Sequence, residues 1–263
     1  MIEKLVNING NTVSISGDGR PVVLVHGVFM DRRMWLPQVK SLSSYYTVCC
    51  MDMLGHGDAP DPDGERKLSD FVEQIHDVIQ YFELDKPVLG GFSMGGLVAQ
   101  AYAIEHHSRL SGLMLMNTVY DRSEAEVAVV KQRYSEMTEG GIESIVESAK
   151  KRWFTDANRE TVPDKIDEIV AWMRSGPFPA KHKAYPVFAY GDKEITGKLG
   201  LISCPTLIMT GSDDLGSTPL MAEKMALSIP NSTLHVLTGQ HHMMSFLHSD
   251  AVNELMREFL DKL

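Results

Sequence analysis

The sequence has few cysteines and no long hydrophobic segment. Its 263 residues include three cysteines, Cys49, Cys50 and Cys204, an odd number without C-x-x-C spacing. Neither a disulfide framework nor a zinc site is therefore predicted. No run of about 18 apolar residues occurs, and the N-terminus lacks the basic flank and apolar run of a signal peptide. We expect a cytoplasmic protein with no metal site and no membrane association.

Basic residues are outnumbered by acidic ones. The chain has 25 Lys+Arg against 35 Asp+Glu, a formal net charge of −10, and no run of five or six basic residues. Such a chain repels a phosphate backbone, so nucleic-acid binding is not expected. Hydrophobic residues make up 43% of the sequence, which is enough for a large core that needs no metal or disulfide to fold.

Short apolar runs predict strands along most of the chain. Three runs within the first 25 residues are separated by Asn9-Gly10 and by Gly17-Asp18-Gly19, a pattern typical of a strand meander. Later runs are almost continuously apolar, which indicates strands covered by helices on both faces. They span residues 47–51, 87–91, 110–117, 205–210 and 233–237.

Helical patterns separate these strands. A stripe of Phe71, Ile75, Val78, Ile79 and Phe82 recurs at three or four residues. Strands that alternate with helices predict a mostly parallel sheet in an α/β fold.

One segment breaks the alternation. Residues 121–196 carry helical patterns but no buried strand, so we expect a helical cap inserted into a core made of residues 1–120 and 197–263.

A candidate nucleophile follows the run at 87–91. Gly91-Phe92-Ser93-Met94-Gly95 has the form G-x-S-x-G between a strand and a helix. The two glycines leave room for a sharp turn that presents Ser93 at the helix N-terminus, where the N–H of Met94 would stabilise negative charge. The alternative is a glycine-rich turn with a capping serine, whereas the spacing fits no nucleotide-binding loop.

A second glycine loop follows the run that ends at Val25. Gly27 lets the chain turn away tightly, which would leave the N–H of Val28 as a second oxyanion donor beside Met94. His26 and His56 each adjoin a glycine after a strand, and we expect both to brace their loops rather than to act as bases.

A serine nucleophile needs a base, and the base needs a carboxylate. Asp213 and Asp214 follow the run at 205–210, and His241 and His242 follow the run at 233–237. The chain order is Ser, Asp, His. The residues themselves leave open which member of each adjacent pair faces Ser93.

Together these motifs resemble the α/β-hydrolase superfamily over nearly the whole chain. The resemblance rests on Val25-His26-Gly27, on Asp52-x-x-Gly55-His56-Gly57 and on the segments 91–96, 211–214 and 239–243. It implies an eight-stranded, mostly parallel sheet, a catalytic triad of Ser93, Asp214 and His242, and no cofactor. The chain departs from the family at His241, where a glycine is common.

The resemblance also narrows the chemistry. A serine at position 93 separates the chain from relatives that use aspartate there, such as haloalkane dehalogenases and epoxide hydrolases. It implies an acyl-enzyme route on a small-molecule ester or lactone. The alternatives are a carbon–carbon bond hydrolase, a cofactor-free perhydrolase, or a small-molecule receptor built on this fold. The pattern carries no indication of oligomeric state.

The cap bears aromatic residues that suit an apolar substrate. The stretch Arg152-Trp153-Phe154-Thr155 resembles one in 3-oxoadipate enol-lactonases. Arg133, Arg152 and Arg174 could bind a substrate carboxylate or lie on a solvated helix face. The expected substrate contacts are Phe29, Trp153, Phe154, Trp172 and Met243.

Overall fold

The computed structural model describes residues 4–8, 10–81 and 86–263. Its strands are β1 (Lys4–Ile8), β2 (Asn11–Ser16), β3 (Arg20–Val25), β4 (Tyr46–Met51), β5 (Val88–Phe92), β6 (Gly112–Met116), β7 (Thr206–Gly211) and β8 (Ser232–Leu237). They form one sheet in the order β1-β2-β4-β3-β5-β6-β7-β8. The pairs β1–β2 and β2–β4 are antiparallel, and the other neighbours are parallel. The predicted α/β class and mostly parallel eight-stranded sheet are confirmed.

The predicted meander is wrong beyond the first hairpin. β2 pairs with β4, while β3 lies between β4 and β5, with Val22 opposite both Val48 and Val88. The Gly17-Asp18-Gly19 turn therefore carries the chain past β4 to the middle of the sheet. The reason is burial, since the apolar run of β3 is covered on both faces only at an interior position.

A second correction concerns β8. It is the edge strand of the sheet, and Thr233 and Val236 are exposed. It is therefore not covered on both faces, and the prediction made from the apolar run at 233–237 is wrong on this point.

Helices cover both faces of the sheet. They are α1 (Leu36–Leu42), α2 (Leu68–Tyr81), α3 (Met94–Glu105), α4 (Glu124–Trp153), α5 (Asp156–Thr161), α6 (Pro163–Arg174), α7 (Phe178–Tyr190), α8 (Asp192–Ile195), α9 (Pro219–Ser228), α10 (Met244–Leu247) and α11 (Ser249–Leu260). The predicted stripe on α2 is buried at Phe71, Ile75, Val78 and Ile79, whereas Phe82 lies outside the described residues. None of the helices in the described ranges has the length and hydrophobicity needed to span a membrane.

Five helices, α4 to α8, lie between β6 and β7. The longest of them, α4, is broken at Gly141, whose backbone has φ 64° and ψ −157°. Glycine tolerates this conformation, and other residues rarely adopt it. Pro163 begins α6, but Pro186 lies inside α7 rather than between helices.

Candidate active site

Ser93 lies in the turn between β5 and α3 and faces a cavity. Its backbone is strained. Ser93 has φ 54° and ψ −116°, and its side chain is almost fully buried. A Cβ on Gly91 would collide with the Gly95 carbonyl, and a Cβ on Gly95 would collide with the Val25 carbonyl. The turn is therefore tight enough to require glycine at both positions.

His242 lies in the loop after β8, between a hydroxyl and a carboxylate. Its Nε2 is 3.1 Å from Oγ of Ser93, and its Nδ1 is 2.7 Å from Oδ2 of Asp214. Because Nδ1 donates to the carboxylate, neutral His242 has an unprotonated Nε2 that can accept the Ser93 proton. The structure thus brings together the three residues predicted as a triad.

Asp214 is held by four donors. Oδ1 accepts from the N–H groups of Gly216 and Ser217 at 2.9 and 3.0 Å, and Oδ2 accepts from Nδ2 of Asn117 at 2.9 Å as well as from His242. Burial alone would raise the pKa of Asp214, but the charge of His242 and these hydrogen bonds lower it below its ordinary value. The carboxylate therefore stays ionised in a buried site.

The neighbouring acid and histidine point elsewhere. Asp213 is exposed and accepts a hydrogen bond from the Ser212 hydroxyl. Nδ1 of His241 lies 3.1 Å from the carbonyl oxygen of Arg152. Of each adjacent pair, the structure directs Asp214 and His242 toward Ser93.

The loop after β3 passes directly over the nucleophile turn. A Cβ on Gly27 would lie 3.1 Å from Cβ of Ser93. The N–H of Phe29 donates to Nε2 of His56 at 3.1 Å, and that of Met30 donates to the Gly27 carbonyl at 3.1 Å. These two groups are engaged, and Val28 lines the cavity beside Ser93, so its role as an oxyanion donor stays a prediction.

The N–H of Met94 is the second predicted oxyanion donor. Met94 is the first residue of α3, and its N–H has no acceptor within the helix. Met94 adjoins Ser93 directly in sequence, and its role as an oxyanion donor stays a prediction.

His26 and His56 support these loops, in line with the structural roles expected for them. Nε2 of His26 accepts from the Met53 N–H at 2.9 Å, and Nε2 of His56 accepts from Phe29. Burial lowers the pKa of both imidazoles, so they remain neutral acceptors. Neither forms part of the Ser93 line of hydrogen bonds.

A narrow cavity opens beside Ser93, and the space not filled by atoms there is about 430 Å³ when open solvent at its mouth is included. Its walls are largely apolar, with two arginines among them. The lining residues are Val28, Phe29, Ser93, Arg133, Ile145, Arg152, Trp153, Tyr185, Phe188, Gly216, Ser217 and His242.

Three of the five expected substrate contacts are absent from this lining. Phe29 and Trp153 belong to it, but Phe154 and Met243 are each 1% exposed and pack into the core. Trp172 packs edge-on against Phe246, with ring centroids 4.9 Å apart. The prediction of these three contacts is wrong because a large apolar residue in the sequence can equally well pack into the core or line a pocket.

Sequence reasoning missed several residues of the site. Asn117, Gly216 and Ser217 hold the carboxylate of Asp214, yet no motif identified them. Asn117 carried one usable signal, since it ends the apolar run of β6 at the edge where Ser93 was expected. Gly216 and Ser217 follow Asp214 closely enough for their N–H groups to reach it.

Comparisons with known proteins agree with this architecture. The profile of the Alpha/beta hydrolase family matches residues 22–255. The (E)-2-((N-methylformamido)methylene)succinate hydrolase of Acinetobacter baylyi is 30% identical, covering 99% of both chains. The 3-oxoadipate enol-lactonase 2 of the same organism is 27% identical, covering 86% of this chain and 84% of its own.

A solved structure is similar over the full length. The thermophilic esterase of Thermogutta terrifontis, with malate bound, superposes with a TM-score of 0.88 at 28% identity and covers 100% of this chain and 99% of its own. The resemblance stated from the motifs is confirmed, and the chain belongs to the alpha/beta hydrolase family.

Proposed function

We propose that this hydrolase cleaves carboxylic esters or lactones through an acyl-enzyme formed on Ser93. One observation carries the proposal: the continuous line from Oγ of Ser93 through His242 to Asp214, with distances of 3.1 and 2.7 Å. Relatives named as an enol-lactonase and an esterase support the same chemistry.

In the first half-reaction, Nε2 of His242 takes the hydroxyl proton while Oγ of Ser93 attacks the carbonyl carbon. The N–H groups of Val28 and Met94 hold the oxygen that becomes negative. The ionised carboxylate of Asp214 stabilises the imidazolium. Collapse of the tetrahedral intermediate breaks the carbon–oxygen bond, and His242 returns the proton to the departing alkoxide.

In the second half-reaction, His242 takes a proton from water, which attacks the acyl carbon. Collapse of this second intermediate returns the proton to Oγ of Ser93 and releases the acid. For a lactone, the released alcohol and acid are parts of one ring-opened molecule. Each step uses only groups of this chain and water.

A fluorophosphonate tests the nucleophile directly. We expect the folded protein to gain one adduct, located on Ser93 by peptide mass spectrometry. Ser93→Ala should gain none, whereas Ser108→Ala, which removes an exposed hydroxyl after α3, should label like the wild type. A folded wild-type protein that stays unlabelled at Ser93 would overturn the proposal.

A substrate panel distinguishes the rival activities. We expect multiple turnovers on 4-nitrophenyl esters and on enol-lactones, abolished in Ser93→Ala. Faster Ser93-dependent cleavage of ring-fission diketones would indicate a carbon–carbon hydrolase instead. Binding of these compounds without turnover would indicate a receptor.

A further inference from the structure

Two arginines line the cavity beside Ser93 without an acidic partner. Arg133 and Arg152 both contribute to the wall, and each is only partly exposed. Nε of Arg152 donates to the hydroxyl of Ser148 at 3.2 Å, which is a neutral acceptor. Across residues 4–8, 10–81 and 86–263, no carboxylate forms an ion pair with either guanidinium.

Other arginines of the same helical insertion do have such partners. Arg122, just before α4, is buried and pairs with Asp192 at 2.9 Å. Arg174 pairs with Glu143 at 2.6 Å on the outer surface. The chain thus supplies carboxylates to neighbouring arginines and leaves the two that face the cavity uncompensated.

The nearest acid cannot serve as that partner. The charge of Asp214 only partly opposes the lowering of the Arg152 pKa by burial, and both oxygens of this carboxylate are already engaged. They accept from Gly216, Ser217, Asn117 and His242. Asp214 therefore belongs to the line of hydrogen bonds to Ser93 and is not available to bind a guanidinium.

The two arginines line the same cavity because α4 is broken. They are 19 positions apart in sequence, and a straight helix would separate them by about 28 Å. The break at Gly141 lies between them, and both halves of α4 border the same cavity. The backbone conformation that glycine permits is what places the two positive charges together.

This placement is electrostatically unfavourable, because two positive charges line one cavity. Burial, followed by repulsion from Arg133, lowers the pKa of Arg152 to about 10. Tyr185 is another wall residue. Burial raises the pKa of its hydroxyl, and the positive charges of Arg133 and Arg152 oppose this rise. Partly buried charges without an acidic partner cost free energy, which a bound anion would recover.

We infer that the substrate carries a carboxylate, which Arg133 and Arg152 bind while Ser93 attacks the ester or lactone carbonyl of the same molecule. The inference rests on the proposed function. The planar fork of a guanidinium matches the two oxygens of a carboxylate. Trp153 and Phe188 in the cavity wall would contact the carbon chain of such an acid.

Matched esters test the inference. The 4-nitrophenyl hemiesters of five- and six-carbon diacids are compared with 4-nitrophenyl pentanoate and hexanoate, so that each pair differs by one carboxylate. A second set of matched esters carries the carboxylate on the alcohol part of the molecule instead of the acyl part. After subtraction of spontaneous hydrolysis, wild-type kcat/KM should favour the charged member of at least one set by about 10-fold to 100-fold.

Variants that remove the charge of one arginine test whether Arg133 and Arg152 cause the preference for charged esters. Arg133→Met and Arg152→Met keep most of the side-chain volume, and each should bring the charged-to-uncharged ratio at least about 10-fold closer to one. The lysine variants should retain an intermediate ratio. Arg109→Met removes an exposed arginine at the far end of the sheet and should keep the wild-type ratio. An equal loss of preference in Arg109→Met would overturn the assignment.

A binding measurement separates this inference from the proposed function. Glutarate should bind Ser93→Ala in calorimetry, with affinity weakened at least about 10-fold by Arg152→Met in the same background. If the wild type cleaves neutral esters through Ser93 but shows no charged preference in either set, the inference fails and the hydrolase stands. If Ser93 neither labels nor turns over any ester while glutarate binds through the arginines, the hydrolase fails.

Discussion

The N–H of Phe29 donates to Nε2 of His56 across 3.1 Å, and this bond fixes the loop that overlies Ser93. Phe29 has φ 66°, a conformation that a bulky residue adopts only when its surroundings impose it. Burial lowers the pKa of His56 well below its ordinary value, so the ring stays neutral and keeps an acceptor at Nε2. A histidine outside the line from Ser93 to Asp214 thus engages the N–H of Phe29, next to the proposed oxyanion donor at Val28.

His56→Phe should lower kcat more than it changes KM. The substitution leaves the buried N–H of Phe29 without an acceptor, so the loop shifts and the donor at Val28 moves. Loss of one oxyanion donor costs about 100-fold to 1000-fold in kcat, and a displaced donor should cost less. His56→Gln, which offers an amide oxygen, should recover part of the rate. Equal kcat in the two variants, at equal stability, would contradict this role.

Asp214→Asn should reduce kcat by about 10,000-fold with little change in fold. An amide can donate to Nδ1 of His242, which favours the tautomer whose Nε2 carries the proton and cannot accept it from Ser93. Asp213→Asn is the matched control, because it makes the same change one residue earlier on an exposed side chain. Steady-state kinetics on one 4-nitrophenyl ester compares them. A comparable loss in Asp213→Asn would show that the assignment of the acid is wrong.

Gly91→Ala should destabilise the protein by about 3 kcal/mol or more. The added methyl would overlap the carbonyl oxygen of Gly95 at the nucleophile turn, where neither strand nor helix can yield. Gly200→Ala adds the same methyl beside an atom 3.8 Å away and should leave stability nearly unchanged. Urea unfolding of both variants provides the measurement. Equal midpoints would mean that the turn relaxes.

Local sequence patterns predicted that Ser93 would lie near one of Asp213 and Asp214 and one of His241 and His242, and the family resemblance selected Asp214 and His242. Each of these residues lies in the loop or turn after a strand, and in a parallel sheet the carboxyl ends of strands share one edge. Ser93 also has glycines two residues to either side, which encode the sharp turn locally. These residues could therefore be placed near one another without knowledge of the three-dimensional structure.

Features that depend on distant contacts could not be predicted in the same way. The position of β3 between β4 and β5 follows from burial in the finished sheet, and the hairpin-like turn before it gave no sign of this. Trp153 and Trp172 are both tryptophans of the helices between β6 and β7, yet Trp153 lines the cavity and Trp172 does not. The break at Gly141, which brings Arg133 near Arg152, depends on a backbone angle that sequence alone does not specify.

Gly141→Ala should weaken the preference for charged esters without creating a clash. No atom lies within 4 Å of the added methyl, so the effect comes from a backbone conformation that alanine disfavours by about 1 to 3 kcal/mol. As α4 relaxes toward a continuous helix, Arg133 should leave the cavity. The charged-to-uncharged kcat/KM ratio should fall, as in Arg133→Met. An unchanged ratio in a protein whose stability has fallen would show that the break does not position the arginine.

Lys181 should make the protein more stable as the pH rises above neutrality. Its Nζ is buried and donates to the carbonyls of Trp172, Met173 and Ser175 near the end of α6. Burial lowers its pKa from 10.5 to about 8, although the nearby carboxylates of Asp31 and Asp52 oppose the shift and Arg33 adds to it.

The direction of the effect follows from proton binding. Between pH 8 and 10.5 the unfolded chain keeps a proton on Lys181 that the folded chain has released, so raising the pH favours the folded state. The gain between pH 7 and 9.5 should be about 2 kcal/mol. Lys181→Met has no amine at this position. The variant should be less stable because the three carbonyls lose their donor, but this loss of stability should not depend on the titration of residue 181. Urea unfolding of both proteins at the two pH values isolates the lysine, because other groups cancel in the difference. A difference that stays constant across this range would show that Lys181 keeps its ordinary pKa.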